Sequence, residues 1–369
     1  MSQHRPRARD LGLPLGGAPG RLNAITDVPG ASVGMTTLIE ERGPRGRPVC
    51  TGVTAILPVP RGDALRRVWA GLHALNGNGE LTGTHWIEDG GYMLGPVLLT
   101  NTHSVGVAHH AAIRWMVANA PPPAAEAHRW FLPVVGETYD GVLSDIDAQA
   151  LGEVHVLAAL DGARGGPVAE GNAGGGAGMI AYGFKAGTGT ASRVVEAAGR
   201  RFTLGVLVQA NHGLREWLTI CGVPVGRLMP HDAPTLLPAR ETGSIIAVIL
   251  TDAPLLPHQL RRVAKRGSIG IGRGGTIGGN SSGDIFLALS TANPVPAGAG
   301  APDLLRMEAL DDPHVDPVYE AAVQATEEAV INALLAASDR PTVHPPGGTI
   351  RAIDPARLAE IVRRHAPAS

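Results

Sequence analysis

Six short runs of almost purely apolar residues recur along the chain, at 53–57, 96–100, 130–135, 204–209, 245–250 and 285–289. Each is continuous instead of alternating with polar positions, as expected of strands covered by helices on at least one face. Helical spacing fills much of the chain between them. Small and apolar residues mark 104–118. The segment 257–266 opens on Pro257, suited to a first turn, and closes on Lys265 and Arg266, favourable at a helix C-terminus. Asp316 and Pro317 make an N-cap and first-turn pair for a helix running to about residue 337, with Tyr319, Ala322, Val323, Val330, Ala333 and Leu334 on one stripe. A last helix is predicted over 354–364. Together these predict a layered α/β domain, with helices packed on strands. No repeat or low-complexity linker divides residues 1–369, so a single domain is expected.

Composition changes this picture in one respect. The chain carries 50 glycines and 30 prolines without a fixed period, which marks tight turns between short strands and not collagen or disorder. An apolar content of 44% over 369 residues is ample for a core. Only 17% of residues are charged, the net charge is −2, and Lys and Arg are scattered, which argues against nucleic-acid or membrane-surface partners. The Arg-rich opening at 5–9 leads into Leu11-Gly12-Leu13-Pro14, not an apolar signal region, and no window has the length of a membrane span. Cys50 and Cys221 form neither a metal pair nor a disulfide framework and read as reduced packing cysteines of a cytoplasmic protein.

The chemistry concentrates in Gly278-Gly279-Asn280-Ser281-Ser282-Gly283-Asp284, which leads directly into the run 285–289. Glycines let the backbone adopt geometries that other residues resist, so a serine here can attack its own preceding carbonyl. Completion of that attack cuts the chain and leaves the serine as a new N-terminus. Its α-amine and hydroxyl then supply base and nucleophile from one residue. Taken alone, the same residues also make an ordinary turn into a strand. The chemistry further requires an oxyanion donor, a proton relay and a pocket. Candidates stand where predicted strands end: Asn211, Glu137 and Tyr139 (both read as lying in a loop), and the polar loop 75–80. Each is also compatible with a simple turn. Glu327 borders the apolar stripe of the long helix, while Glu328 shares a side with Gln324 and Asn332; Glu327 alone reads equally as a solvated carboxylate.

Two other patterns carry no site. The stretch 171–178 lacks the Walker ending and precedes a strand-like segment in place of a helix, so it reads as a glycine-rich turn with close backbone packing. His103, His109 and His110 form no HExxH pattern and share no helical face with a carboxylate, so neither metal nor cofactor is expected.

A longer series of segments is informative as a set. It runs through Asn23-Ala24-Ile25-Thr26-Asp27-Val28-Pro29-Gly30, Leu75-Asn76-Gly77-Asn78-Gly79-Glu80 and Leu99-Thr100-Asn101-Thr102-His103-Ser104. It continues with Gly136-Glu137-Thr138-Tyr139-Asp140-Gly141, Ser282-Gly283-Asp284-Ile285 and Ala325-Thr326-Glu327-Glu328. In this order, across nearly the whole chain, the series resembles the β-aminopeptidase family, also described as L-aminopeptidase/D-amidase-esterase (DmpA-like). The resemblance implies an αββα sandwich of the Ntn-hydrolase type. It also implies self-cleavage into 1–281 and 282–369, and a homotetramer of processed heterodimers. By position it makes Ser282 the nucleophile, Asn211 the oxyanion amide and Glu327 the carboxylate near the nucleophile's amine. Glu137, with Tyr139 beside it, would meet the amino group of a small peptide or amino-acid amide, including β-amino and D-amino types. Other readings on the same scaffold are hydrolysis of a pantetheine-like amide, or an uncleaved protein that only binds an amino compound. The chain departs from the family pattern twice. Ser281 precedes Ser282, so the scissile bond is Asn280–Ser281 or Ser281–Ser282, the latter favoured because the family's small chain begins with Ser-Gly-Asp. Ala325 stands where some members carry a serine, which removes one hydroxyl from the proton relay.

Overall fold

The computed structural model describes residues 5–120, 130–229, 241–295 and 302–365. In chain order they form β1 (Ser32–Glu40), β2 (Val49–Leu57), β3 (Arg67–Gly77), α1 (Thr84–Gly90), β4 (Tyr92–Met93), β5 (Val97–Asn101), α2 (Val105–Asn119), β6 (Val134–Thr138) and α3 (Glu153–Asp161). The two-residue pair β7 (Ile180–Ala181) and β8 (Phe184–Lys185) follows, then β9 (Gly187–Ala197), β10 (Arg200–Asn211), α4 (Val225–Leu228), β11 (Ser244–Thr251) and α5 (Pro257–Arg273). The chain ends with β12 (Gly283–Val295), α6 (Asp316–Leu335), the pair β13 (Arg340–Pro341) and β14 (Thr349–Ile350), and α7 (Pro355–His365).

The layering follows from β11. Ile246, Val248 and Leu250 face one way, Ile245, Ala247 and Ile249 the other, and all six are buried. A strand apolar on both faces needs a cover on each. One cover is a four-stranded sheet, β1-β2-β5-β6, stacked on the six-stranded sheet β4-β3-β12-β11-β10-β9. Between the sheets, Ile56, Val97 and Leu99 meet Leu207, Val248 and Leu287. The other cover is α5 and α6, whose Leu260, Val263, Ala325 and Ala329 pack with Ala247, Phe286 and Ala288. On the far side, Ala108, Ala112 and Trp115 of α2 and Val156 of α3 close over Val53, Ala55 and Leu98. The architecture is an αββα sandwich.

Three sequence expectations shift. The strand expected at 130–135 begins at Val134 and runs to Thr138, so Glu137 lies in β6 and not in a loop. Pro133 has no N–H to give a ladder, and the parallel partner β5 aligns Thr100 with Glu137. α5 extends past Arg266 to Arg273. Two of its added glycines are packing residues: a Cβ on Gly267 would lie 2.2 Å from the Phe286 ring, and one on Gly270 2.6 Å from Thr326. Glu328, expected on a polar helix side, is fully buried between β9 and the N-terminal segment. There Arg9, Arg193 and Asn23 satisfy its oxygens. The glycine-rich stretch 171–178 is a tight turn, in which a Cβ on Gly178 would meet the Cys50 carbonyl at 2.3 Å.

Register sets up the site. Asn211 pairs with Ser244, Ser244 with Gly283, and Gly283 with Gly77. The ends of four adjacent strands therefore stand in one row, each about 4.8 Å from the next.

Candidate active site

Ser282 immediately precedes β12 and is completely buried. Its position is set by a turn in which Ser282 N donates to the Gly279 carbonyl at 2.9 Å. Gly278 sits at φ +66°, a conformation that glycine adopts without the penalty of a side chain. Glu241, itself buried, anchors this turn by accepting from Gly279 N at 3.0 Å and also from Gly213 N. Gly283 is required next to the serine, because a Cβ there would lie 2.2 Å from the Asn78 carbonyl.

The serine hydroxyl donates to Asp284 Oδ1 at 2.7 Å. Burial pushes the Asp284 carboxyl up to about 6; the Ser282 and Asn76 hydrogen bonds oppose the shift, and the nearby Glu241 charge adds to it. A register shift between Asp284 and Ile285 leaves Leu75 as an extra residue on β3. Beside it, Asn76 Nδ2 reaches both the Gly279 carbonyl (3.1 Å) and Asp284 Oδ2 (3.3 Å). From the same loop, Asn78 Nδ2 donates to the Ser281 carbonyl at 2.7 Å.

Glu137 lies in the opposite sheet but opens toward the same place. A cleft of about 430 Å³ is lined by Asn78, Glu80, Thr102, Glu137, Tyr139 and Ser244 among others. The Glu137 carboxylate accepts from Glu80 N at 2.9 Å and from the Thr102 hydroxyl. A Cβ on Gly79 would stand 3.3 Å from Glu137 Oε1 and 3.5 Å from Gly283 Cα, so the carboxylate lies about one residue's width from the serine-bearing strand. Burial, with the Asp140 and Asp147 charges, raises the Tyr139 phenol, which keeps it a neutral donor at the rim.

Asn211 closes β10. Its Oδ1 accepts from Ile180 N at 2.8 Å, and its Nδ2 donates to the Tyr139 carbonyl at 3.1 Å. With the oxygen held this way, the amide nitrogen faces the Tyr139 wall of the cleft. Glu327 is placed elsewhere. Its carboxylate pairs with Arg273 at 3.0 Å, in a second cleft of about 480 Å³ that also takes in Leu15, Cys221 and Gln324. Ala325 is fully buried between α6 and the large sheet. The cleft thus brings Glu137 and Tyr139 together with Thr242, Gly243 and Ser244, and Asn211, paired with Ser244, stands at its edge; Ser281 and Ser282 lie outside its lining, joined to it through Asn78. The structure adds Asn76, Asn78, Glu241 and Asp284, which the sequence reading had not singled out. Asn78 was visible only as part of a polar loop. Asp284 stood in the serine stretch without a role.

Burial and the absence of compensating partners hold His212 neutral, its pKa lowered to about 3. Among the described residues no three His, Cys, Asp or Glu converge as metal ligands. His103 and His110 lie instead near Asp147 and Glu153. Cys50 and Cys221 are both free thiols.

Comparison with known proteins identifies the family and the fold. The model of peptidase family S58 matches residues 23–344. The chain is 48% identical to the beta-peptidyl aminopeptidase BapA of Sphingosinicella microcystinivorans, over 99% of this chain and 93% of that one. Among solved structures, the L-aminopeptidase D-Ala-esterase/amidase of Ochrobactrum anthropi superposes with a TM-score of 0.93 at 53% identity, covering 99% of this chain and all of that one. That protein is described as a prototype of the serine aminopeptidases and a variant of the Ntn-hydrolase fold. A Burkholderia beta-aminopeptidase superposes with a TM-score of 0.88 at 43% identity, over 99% of this chain and all of that one. With the family model spanning most of the chain and the fold and serine turn in place, the chain belongs to peptidase family S58 and is a serine aminopeptidase.

Proposed function

We propose that the chain cuts itself between Ser281 and Ser282 and that the freed Ser282 then hydrolyses the amide or ester after an N-terminal residue. The observation that carries this reading is the convergence at Ser282: a buried hydroxyl on a carboxylate, a preceding carbonyl held by Asn78, and a carboxylate-bearing cleft alongside. The cut leaves pieces 1–281 and 282–369. The new α-amine, of a type that titrates near pH ~8, serves as base for the adjacent hydroxyl. Glu137 takes the substrate's ammonium, so that its first carbonyl falls near Ser282. Oγ attacks, the acyl group passes to the serine, the amine leaves with a proton, and water resolves the ester. Asn211 supplies an amide at the cleft edge for the oxyanion, a donor type whose removal costs about 3–4 kcal/mol in other hydrolases.

The names of the relatives favour β-amino and D-alanyl substrates. A cleft of about 430 Å³ that carries Glu137 among polar neighbours supports a small substrate with a free amine. The reading extends to a homotetramer of processed heterodimers in the cytoplasm; among the described residues no helix is long and apolar enough to cross a membrane. The test compares rates on β-alanyl and D-alanyl amides, their N-acetylated forms and a pantetheine-type amide. Faster turnover of the free-amine substrates supports the proposal. Preference for the acetylated or pantetheine-type amides contradicts it.

A further inference from the structure

Glu327 and Arg273 meet on the wall of the second cleft, where α6 passes the end of α5. Arg273 Nη1 donates to Glu327 Oε2 at 3.0 Å. Among the described residues this contact engages one nitrogen of a planar fork of donors and one oxygen of a carboxylate. The Arg273 side chain is half exposed, and that of Glu327 is sheltered but still 13% accessible. What remains is a cation and an anion side by side, each with an open hydrogen-bonding edge. An ion pair this open to water contributes little to stability. The cleft it faces has about 480 Å³ and shares no described lining residue with the cleft that holds Glu137.

We propose that the second cleft binds a free small amino acid, its carboxylate on Arg273 and its ammonium on Glu327. An aminopeptidase releases such a molecule at every turnover, so the site takes the product class of the reaction. The proposal uses only that release, and not which bond of the chain is cut. Recognition follows from the order of charges. A substrate amide brings an ammonium but no carboxylate, and gives Arg273 nothing to hold. The free acid brings both, one or two carbons apart, and joins the pair in a closed ring of four alternating charges. The edge formed by Arg273 Nε and Nη2 suits a carboxylate held through two parallel N–H···O bonds. Glu327 Oε1 is left for the ammonium.

The surroundings fit that class. Arg193 and Glu328, the other charges that act on Glu327, are buried and paired with each other, so neither competes for the ligand. Gln324 is also engaged, its oxygen accepting from Arg193 and its nitrogen donating to Glu320. Pro14, Leu15 and Cys221 give the cleft an apolar side for a short carbon chain. Burial, with the Glu327 and Glu328 charges, pushes the Cys221 thiol up to about 11, so it stays neutral beside the ligand. Burial also raises the Glu327 carboxyl, and Arg273 opposes the shift; a bound ammonium acts in the same direction as Arg273.

The experiment is equilibrium dialysis of the purified enzyme against radiolabelled β-alanine or L-alanine at neutral pH, with thermal melting to verify that each variant is folded. The two amino acids share this chemistry, and binding of either at this cleft supports the proposal. Binding should persist in Glu137→Gln, which alters the substrate cleft. Glu327→Gln and Arg273→Met should each weaken it by roughly 10- to 100-fold, the loss of one charge-assisted hydrogen bond. Aminopropanol and propionate each lack one of the two charges. Both should compete at least roughly 10-fold less well than unlabelled β-alanine on the wild-type enzyme. No binding of either amino acid, unweakened binding in folded Glu327→Gln or Arg273→Met, or loss of binding in Glu137→Gln overturns the proposal. So does competition by either analogue equal to that of β-alanine. If the Glu327 variant fails to fold, Arg273→Met and the analogues decide.

Discussion

Ser282 Oγ and Asp284 Oδ1 are 2.7 Å apart, and both side chains are buried at the start of the same strand. The contact pairs a hydroxyl with a carboxylate whose ionised form the fold disfavours. A group whose folded pKa lies above its unfolded value holds its proton more tightly in the folded state. Above the unfolded value the ionised form therefore costs stability, and the cost is fully present once pH exceeds the folded value. For Asp284 that window runs from 3.8 to about 6.

The first prediction follows from this sign. In uncut Ser282→Ala protein, adding Asp284→Asn should raise stability at pH 7.5, by at most about 3 kcal/mol, from a shift of about two units. At pH 4.5 the gain should shrink. Urea denaturation at the two pH values checks it. Equal or lower stability of the double variant at pH 7.5 would mean that the fold favours the ionised carboxylate.

Glu137 is expected to act on binding of the substrate amine. It is held by Glu80 N and Thr102, so Glu137→Gln keeps the shape of the cleft and removes the charge. A charge-assisted hydrogen bond contributes roughly 1.5–3 kcal/mol, which predicts a fall in kcat/KM of roughly 10- to 100-fold on free-amine substrates. Esters or amides without the amine should lose much less. Steady-state kinetics on matched pairs checks this, and equal losses on both would remove Glu137 from amine recognition.

The buried charge network around Glu328 should hold the two pieces together after the cut. Arg9, Asn23 and Arg193 belong to 1–281, whereas Glu328 belongs to 282–369. Arg193 and Glu328 are almost wholly buried, with a contact of 2.7 Å. Removing one partner of such a pair strands the other, at a cost of about 3–5 kcal/mol. Glu328→Ala should therefore lower the melting temperature markedly, and Arg193→Ala comparably. A double variant that costs no more than either single would locate the loss in this pair.

Much of the fold was legible because β11 and the start of β12 are apolar on both faces, and only a buried strand explains such runs. β9 was missed for a physical reason. Its sequence is rich in Gly, Thr and Ser because α6 crosses so close that a Cβ on Gly189 would lie 2.0 Å from the Ala329 carbonyl. The glycines of α5 hid the helix's last two turns in the same way. In the candidate site, the roles proposed for Ser282 and Glu137 come from their motifs. Asn78 was not, since its contact with Ser281 closes across 203 residues of sequence. Helical spacing put Glu327 at the edge of the apolar stripe. It could not show that Arg273 would occupy its carboxylate.

The most direct test of the central claim is the intact mass, under denaturing conditions, of the wild-type chain and of Ser282→Ala. The account predicts two wild-type pieces, the smaller beginning at Ser282 and ending at Ser369, and a single uncut chain for the variant. One uncut chain in active wild-type protein, or a small piece beginning at Ser281, would contradict it.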